Sequence, residues 1–293
     1  MNLTLTVLNI TAPVFLLAAV GFVWVKLGFE YRVQFVTRMA ITLAVPCLIF
    51  VALMKTGVDP EALAALSLAS FVAYGLVMIG CFIVVKLARL DTQTYLAPLI
   101  FGNTGNLGLP LALFAFGEVG LGYAVVVFAV MAILSFTIGI WMVAGRGSFK
   151  RVIQEPLVGA TLLGALFLWQ GWETPDFLTN AIELIGRMAI PMMLITLGVA
   201  VARLETKAMS LAVLLSVVKV VICVCAGWFA ATWFGLEPVA AAVLILQVAT
   251  PVAVTSYLLA EKYGADAQPV AGLVVASTLL SVIALPVIVA LVI

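Results

Sequence analysis

Residues 101–110 read Phe-Gly-Asn-Thr-Gly-Asn-Leu-Gly-Leu-Pro, and they interrupt a long apolar region of the chain. Three glycines, two asparagines and a proline stand between Gly102 and Pro110. Glycine costs about 1 kcal/mol and proline about 3 kcal/mol in a helix interior, and proline also lacks the N–H that a helix uses and clashes with the preceding turn. The stretch therefore predicts a helix that is broken at this point.

The composition around this stretch predicts that lipid is the solvent for most of the chain. Of 293 residues, 66% are hydrophobic and 9% are charged, with a mean hydropathy of +1.31, whereas soluble domains carry about 25% charged residues. Inside a bilayer, an unpaired backbone group costs several kcal/mol. The predicted break must therefore be buried in protein or line a polar cavity.

The same composition excludes several kinds of site. Histidine is absent, so His-based metal sites and His general bases are ruled out, and a net charge of +1 argues against nucleic acid as a partner, because such surfaces are basic. Neither a helical HExxH motif nor a pair of intramembrane aspartates is present, which argues against an enzyme. The cysteines lie in apolar stretches, where we interpret them as packing residues; they are Cys47, Cys81, Cys223 and Cys225.

Apolar stretches between charged clusters predict ten membrane-spanning helices, since a helix needs about 20 apolar residues to cross the hydrocarbon core. The predicted spans are 8–27, 36–54, 63–86, 95–117, 121–144, 153–171, 178–202, 209–234, 238–260 and 267–292. Lys and Arg, which prefer the cytoplasmic side, concentrate in alternate connections. These connections contain Lys26, Arg32, Lys86, Arg89, Arg146, Lys150, Arg151, Arg203, Lys207 and Lys262. We therefore predict a multi-pass membrane protein with both termini on the outer side.

Prolines recur at matching positions in the two halves of the chain. The pairs are Pro13 with Pro156, Pro46 with Pro191, and Pro110 with Pro251, at nearly constant separation. With five spans in each half, the second half (148–293) inserts in the opposite sense to the first (1–147). Inverted repeats of this kind are typical of secondary transporters. The alternative is that prolines simply recur because membrane helices tolerate them.

A second and milder break is predicted at Gln247-Val-Ala-Thr-Pro251 in the ninth span. Breaks in corresponding spans of two halves are the best sequence indication of a transporter binding site. A half-helix that begins near Leu109 would direct free N–H groups and its positive dipole end at an anion, and asparagine amides suit a carboxylate or a coupling ion. The predicted substrate-binding residues at the breaks are Asn103, Thr104, Gly105, Asn106, Gly108, Pro110, Gln247, Thr250 and Pro251. The alternative is a kink packed by small residues, with no ligand.

Lys219 completes the predicted site, about eleven residues into the eighth span. A cation at this depth costs roughly 3 kcal/mol or more. It would pair with an anionic substrate or titrate as a coupling group; the alternatives are snorkelling to an interface or a structural ion pair. We interpret Glu183 and Arg187 as an interfacial ion pair, with a substrate contact as the alternative. Glu118 and Glu261 are interpreted as helix-end residues in water, with gating or proton coupling as the alternative.

At the first break the chain resembles the bacterial branch of the auxin efflux carrier family. The resemblance rests on Gly102-Asn-Thr-Gly-Asn-Leu-Gly-Leu-Pro110-Leu-Ala-Leu, Phe116-Gly-Glu and Tyr123-Ala, with Pro46 and Pro191 in support. It implies an all-α membrane protein of two inverted five-helix repeats, whose fourth and ninth helices are broken and cross at the membrane centre. It also implies a homodimer in which a transport domain (spans 3–5 and 8–10) moves like an elevator against a scaffold (spans 1, 2, 6 and 7).

Substrates in that family are organic anions, namely auxin in plants and dicarboxylates such as malonate or malate in bacteria, and no cofactor is implied. The chain departs from the family in two ways: the long cytoplasmic loop of plant members is missing, and Gln247 and Thr250, rather than asparagine, precede Pro251. The bile acid–sodium symporters are related in fold and bind sodium, so a sodium or proton coupling ion stays open. We expect a secondary transporter of a small organic anion; a sodium-coupled symporter and an anion channel are the alternatives.

Overall fold

The computed structural model describes residues 3–55, 59–144, 156–204 and 209–293, which are helical apart from connections and one isolated β-bridge. Segments that continue without interruption share a label. The helices are α1 (Leu3–Lys26), α2 (Val33–Lys55), α3 (Pro60–Leu87), α4 (Thr92–Ile100), α5 (Thr104–Ala144), α6 (Pro156–Gln170), α7 (Asp176–Arg203), α8 (Met209–Trp233), α9 (Pro238–Val248), α10 (Val254–Tyr263) and α11 (Ala267–Val292). Four residues that were predicted to be cytoplasmic lie outside the described residues, namely Arg146, Lys150, Arg151 and Lys207. The predicted boundary between the two halves, at 147–148, lies outside them as well.

Polar residues fix the ends of several helices. Asp59, Asp91 and Asp266 precede α3, α4 and α11, and each accepts a hydrogen bond from an N–H in the first turn of its helix, as N-caps do. The hydrogen bonds from Thr94 hold the pKa of Asp91 below its ordinary value. This cap therefore contributes stability above the unfolded pKa and loses it as the pH falls through the folded pKa. Gly264, with φ of +77°, ends α10 in the left-handed conformation that glycine adopts without strain.

Seven of the described helices are long and apolar enough to cross a membrane, and two shorter apolar helices accompany them. The predicted all-helical architecture is therefore confirmed. Helix α5 contains 41 residues, and a straight helix of that length would measure about 60 Å, twice the hydrocarbon thickness of about 30 Å. It turns instead at Gly117, whose φ of 64° and ψ of −154° are not helical. The sequence placed the end of the fourth span at this residue.

Helices α1, α2, α6 and α7 pack mainly on one another, and we call them the four-helix group. Helix α1 lies along α7, and α2 packs against α6 and α7. Glycines permit the closest approaches, since a Cβ on Gly198 would collide with the carbonyl oxygen of Ala18, and one on Gly21 with that of Ile195. Small residues at such crossings let membrane helices approach backbone to backbone, so these glycines set the spacing of α1 and α7.

Polar contacts also hold α7 against its neighbours. The carboxylate of Glu183 accepts from Lys55 at the end of α2 (Nζ–Oε2 2.7 Å) and from Arg187 (Nη2–Oε1 2.5 Å). The predicted Glu183–Arg187 ion pair is thus confirmed and includes a third residue. In the connection between α1 and α2, the hydroxyl of Tyr31 hydrogen bonds that of Thr196 (O–O 2.7 Å). The connection and the end of α2 are therefore both attached to α7.

The remaining helices, α3 to α5 and α8 to α11, form what we call the seven-helix group. Helix α8 packs against α3, α9 and α11; α5 packs against α3 and α9; and α10 packs against α11. Contacts between the two groups are made by α1 with α5 and α11, by α2 and α6 with α5, and by α7 with residues 104–108. The stretch that the sequence singled out therefore lies where the two groups meet.

Replacement of Gly198 by alanine is expected to weaken the packing of α1 on α7, because the new Cβ has no room beside the Ala18 carbonyl. Overpacking of this kind costs about 1–3 kcal/mol, so Gly198→Ala should lower the Tm of the detergent-solubilised protein by several degrees. The matched control is Gly75→Ala in α3, where an added Cβ meets nothing within 4 Å. This variant should have the Tm of the wild type. Equal melting temperatures for the two variants would contradict this packing.

Candidate functional site

The two predicted breaks are present, and they contact each other. The first break comprises residues 101–103, between α4 and α5, and the second comprises residues 249–253, between α9 and α10. Gly102 and Val252 form an antiparallel β-bridge, and the N–H of Asn103 donates to the carbonyl of Pro251 (2.7 Å). Backbone groups that the interrupted helices leave unpaired are thus partly paired across the breaks.

The first break ends earlier than the sequence predicted, because the helix resumes at Thr104 rather than near Leu109. The turn that follows is of the wide π type, and the N–H of Leu109 donates to the carbonyl of Thr104. Pro110 comes next and stands in the first turn of regular helix, where a missing N–H is tolerated. Wide turns of this type often occur at functional sites. The proline therefore lies beside the break without causing it.

Two glycines around the first break fit polar side chains around the second. A Cβ on Gly102 would collide with Thr250 Oγ1, and one on Gly108 would collide with Gln247 Oε1. Both polar side chains are fully buried. At position 102 an added Cβ would also meet the backbone carbonyl of Thr250, so glycine is required there; at position 108 the end of the Gln247 side chain would have to shift. The two breaks thus form one interlocked unit.

Four polar atoms at this unit are buried without a hydrogen-bond partner in the described part of the chain: Asn103 Nδ2, Thr104 Oγ1, Gln247 Oε1 and Gln247 Nε2. Each such atom costs about 1–3 kcal/mol, and buried polar groups are otherwise almost always paired. The hydroxyl of Thr250, in contrast, donates to the carbonyl of Gln247 (2.7 Å). The unpaired set offers donors and one acceptor to a small ligand that carries oxygen atoms.

Helix ends add unpaired N–H groups at the same place. Helices α5 and α10 both begin at the breaks, and no side-chain hydrogen bond caps either of them. The first-turn N–H groups of a helix carry the positive end of its dipole and attract an anion. Gly105 and Asn106, in the first turn of α5, are only half-buried. The electrostatics of the breaks therefore favour a negatively charged ligand.

The space beside the breaks is small. One cavity, bordered by Phe101 in the first break and Ser256 in the first turn of α10, has a volume of about 10 Å³, enough for about one water molecule. Ser135 and Gly139 in α5 also border this cavity. A ligand larger than a water molecule would therefore require the surrounding helices to move apart.

Lys219 is buried in α8, with 1% of its surface exposed. Its ammonium group lies 3.6 Å from the sulfur of Cys223, and it forms no ion pair with a carboxylate of the described residues. Both structural alternatives that the sequence left open, snorkelling and an ion pair, are therefore absent from this part of the chain. Cys81, in the neighbouring helix α3, donates to the carbonyl of Leu99 (3.7 Å) at the end of α4. Among the described residues Lys219 forms no hydrogen bond with Asn103 or Gln247.

Three buried polar residues at the breaks were not predicted from the sequence. Tyr74 stacks its ring on Phe101 (centroids 6.4 Å apart), and its hydroxyl is unpaired among the described residues, as is that of Thr278. Ser277 accepts a hydrogen bond from the N–H of Val252 (3.0 Å). The sequence does contain a weak signal for such residues, since hydroxyl side chains occur in an otherwise apolar helix such as α11.

Comparison with known proteins gives the family. The model of one family, described as membrane transport protein, matches residues 6–152 and 148–289. The chain belongs to the membrane transport protein family. This is the auxin efflux carrier family that the first break resembles, so the resemblance is confirmed, and the family is one of transporters and not of enzymes.

Two relatives extend along most of the chain. An "Uncharacterized transporter" of Methanocaldococcus jannaschii is 22% identical over 301 residues, which cover 94% of this chain and 96% of its own length. A protein of Rhizobium meliloti named "Putative malonate transporter" is 25% identical over 259 residues, which cover 82% of this chain and 81% of its own. The first of these similarities extends over nearly the whole chain and includes both breaks.

A paired substitution tests the interlocking of the breaks. Gly108→Ala should lower Tm, because the new Cβ collides with the buried amide of Gln247 at an expected cost of about 1–3 kcal/mol. Gln247→Ala removes that amide and its two unpaired atoms, so the double variant should regain most of the lost Tm. A double variant as unstable as Gly108→Ala would show that these residues do not meet, since coupling is expected only for residues in contact.

Proposed function

We propose that the protein is a secondary transporter of a small organic anion that binds at the two breaks. The observation that carries the proposal is the set of unpaired polar atoms on Asn103, Thr104 and Gln247, next to two uncapped helix starts. A carboxylate accepts hydrogen bonds from amide and hydroxyl groups, and the positive ends of two helix dipoles favour its charge. Its binding would pair groups that otherwise remain unpaired at a cost.

A carboxylate or dicarboxylate such as malonate or malate is the substrate class that we propose, with auxin-like carboxylates as the other class that the family implies. The name of the Rhizobium meliloti relative supports malonate. The residues from Asn103 to Pro110, with Gln247, Thr250 and Pro251, would surround one carboxylate. Of these, Gly105 and Asn106 are half-buried and belong to the segment 104–108 that contacts α7, so a substrate would enter between the two helix groups.

Lys219 would provide the positive charge that attracts the anion into the seven-helix group. The charge lies in the interior without a carboxylate partner among the described residues, and an intramembrane cation is a functional hypothesis by default. A substrate carboxylate would neutralise it. Because no carboxylate of the described chain does so, a role in holding the helices together is a poor explanation for this residue.

The architecture that we propose has ten spans in two inverted repeats, 1–147 and 148–293. The turn at Gly117 divides α5 between the fourth and fifth spans. If α4 with the start of α5 is the fourth span, and α9 with α10 is the ninth, the described helices provide ten spans. The antiparallel contact of the two breaks supports an axis in the membrane plane, which is a feature of inverted-repeat transporters.

Alternating access would come from movement of the seven-helix group, as a transport domain, against the four-helix group, as a scaffold. Support comes from the packing, which is most extensive within each group and places both breaks in the seven-helix group. The family resemblance leads us to propose a homodimer as well. The distribution of Lys and Arg supports an orientation with both termini on the outer side of a bacterial inner membrane.

Asn103→Ala is expected to abolish or strongly reduce uptake of the anion into proteoliposomes. The substrate is first identified by the rise in Tm that mono- and dicarboxylates, malonate and malate included, cause through binding to the native state. Loss of a hydrogen bond to a charged ligand is worth about 1.5–3 kcal/mol, so the apparent Kd should rise roughly tenfold to a hundredfold. Replacement of sodium by N-methylglucamine in the same assays determines whether sodium is coupled.

The matched control for this variant is Asn180→Ala, which changes an exposed asparagine of α7 and should transport normally. Saturation of uptake and counterflow are expected of a transporter and not of a channel. Wild-type affinity in Asn103→Ala, with a folded protein, would remove Asn103 from the site.

Lys219→Met is expected to remove most of the rise in Tm that the anion causes, while the Tm without ligand stays the same or increases. The second result follows because removal of an unpaired buried charge does not destabilise a protein. The control is Lys262→Met, which changes an exposed lysine at the end of α10 and should keep the full ligand response. A large fall in ligand-free Tm with an intact ligand response would assign Lys219 a structural role instead.

A further inference from the structure

The second break is attached to a neighbouring helix by one side chain. The hydroxyl of Ser277, in α11, accepts the hydrogen bond of the Val252 N–H (3.0 Å) and donates to the carbonyl of Val274 in its own helix (3.3 Å). Ser277 is 3% exposed and Val252 is fully buried. In an apolar interior no water is present to replace Ser277 as the acceptor, so this N–H depends on the serine.

The centre of the second break is paired, whereas polar side chains that flank the contact between the two breaks are not. In the second break, Val252 donates to Ser277, Pro251 accepts from Asn103, and the Thr250 hydroxyl is satisfied. The unpaired atoms lie instead on Asn103, Thr104 and the amide of Gln247, which points at the first half-helix. The paired backbone of the second break is suited to support the site, and the unpaired side-chain atoms are suited to contact a ligand.

We infer that Ser277 is a positioning residue for the anion site of the proposed function, on which this inference rests. Its hydroxyl fixes Val252, the β-bridge from Val252 fixes Gly102, and the adjacent bond between Asn103 and Pro251 fixes the backbone of Asn103. Ser277 therefore orients the Asn103 amide without touching the ligand. Second-sphere hydrogen bonds of this kind hold binding groups within the narrow tolerance that recognition requires.

The test compares Ser277→Ala with Ser281→Ala in the full-length protein. Ser281 lies one turn further along α11, is also 3% exposed, and donates only to the carbonyl of Thr278 in its own helix. Ser277→Ala should raise the KM for malonate uptake about tenfold, as expected when a buried donor loses its acceptor, with a smaller change in kcat. Ser281→Ala should stay within about twofold of wild type, and Ser277→Thr, which keeps the hydroxyl, should restore most of the affinity.

Hydrogen exchange of the peptide that contains Val252 provides a readout that does not need transport. The wild-type amide should be protected, and Ser277→Ala should exchange faster at this peptide only. The same KM for Ser277→Ala and Ser281→Ala would overturn the inference, and so would a rapidly exchanging Val252 amide in the wild type, even if Ser277→Ala fails to fold. If the wild type binds no carboxylate but Val252 is protected through Ser277, the proposed function fails and the attachment of the second break stands.

Discussion

The hydrocarbon interior offers no partner to a backbone N–H or carbonyl, and this constraint determines how the two breaks are arranged. A single interrupted helix would leave several groups unpaired at several kcal/mol each. Two interrupted helices can pair with each other, as Gly102 does with Val252 and Asn103 with Pro251. The glycines at 102 and 108 make the approach possible, because any side chain there would occupy the space of Thr250 or Gln247. Each break therefore depends on the other.

The hydrogen bonding of polar groups at the two breaks is incomplete, and the positions of the unpaired atoms are informative. The polar groups of residues 250–252 in the second break are paired, with help from α11. The atoms that stay unpaired among the described residues belong to side chains around both breaks: the amide nitrogen of Asn103, the hydroxyl of Thr104 and both polar atoms of the Gln247 amide. A site of this kind combines a fixed backbone with free side-chain groups. That combination is expected where a ligand has to be bound tightly enough to be recognised and weakly enough to be released.

The sequence predicted the first break well because its signal is local. Glycine, asparagine and proline at this density disfavour a helix wherever they occur. The sequence predicted the start of the helix after the first break less well. A π-type turn at Thr104–Gly108 precedes Pro110 and accommodates it, and a wide turn of this type has no clear residue signature. The contacts of Tyr74 and Ser277 could not be predicted, because they join residues that are distant along the chain and chemically ordinary for membrane helices. Lys219 was predicted as a buried charge from its flanking valines. Whether it has a carboxylate partner depends on the folded structure, which shows none among the described residues.

The cost of the unpaired atoms also bears on how a transporter with this site would avoid leakage. The atoms of Asn103, Thr104 and Gln247 that have no partner among the described residues cost about 1–3 kcal/mol each while they stay buried. In an open arrangement water would pair with them. Closure of the empty protein is therefore disfavoured by several kcal/mol relative to closure around a carboxylate that completes the hydrogen bonds. A ligand shifts a conformational equilibrium only through such a difference in affinity between the two states. In the proposed function the buried charge of Lys219 would act in the same direction, because a bound anion would neutralise it only when the site is occupied. Any alternating-access cycle must pass through a closed state. The unpaired polar groups at the breaks would thus make formation of that state dependent on the substrate.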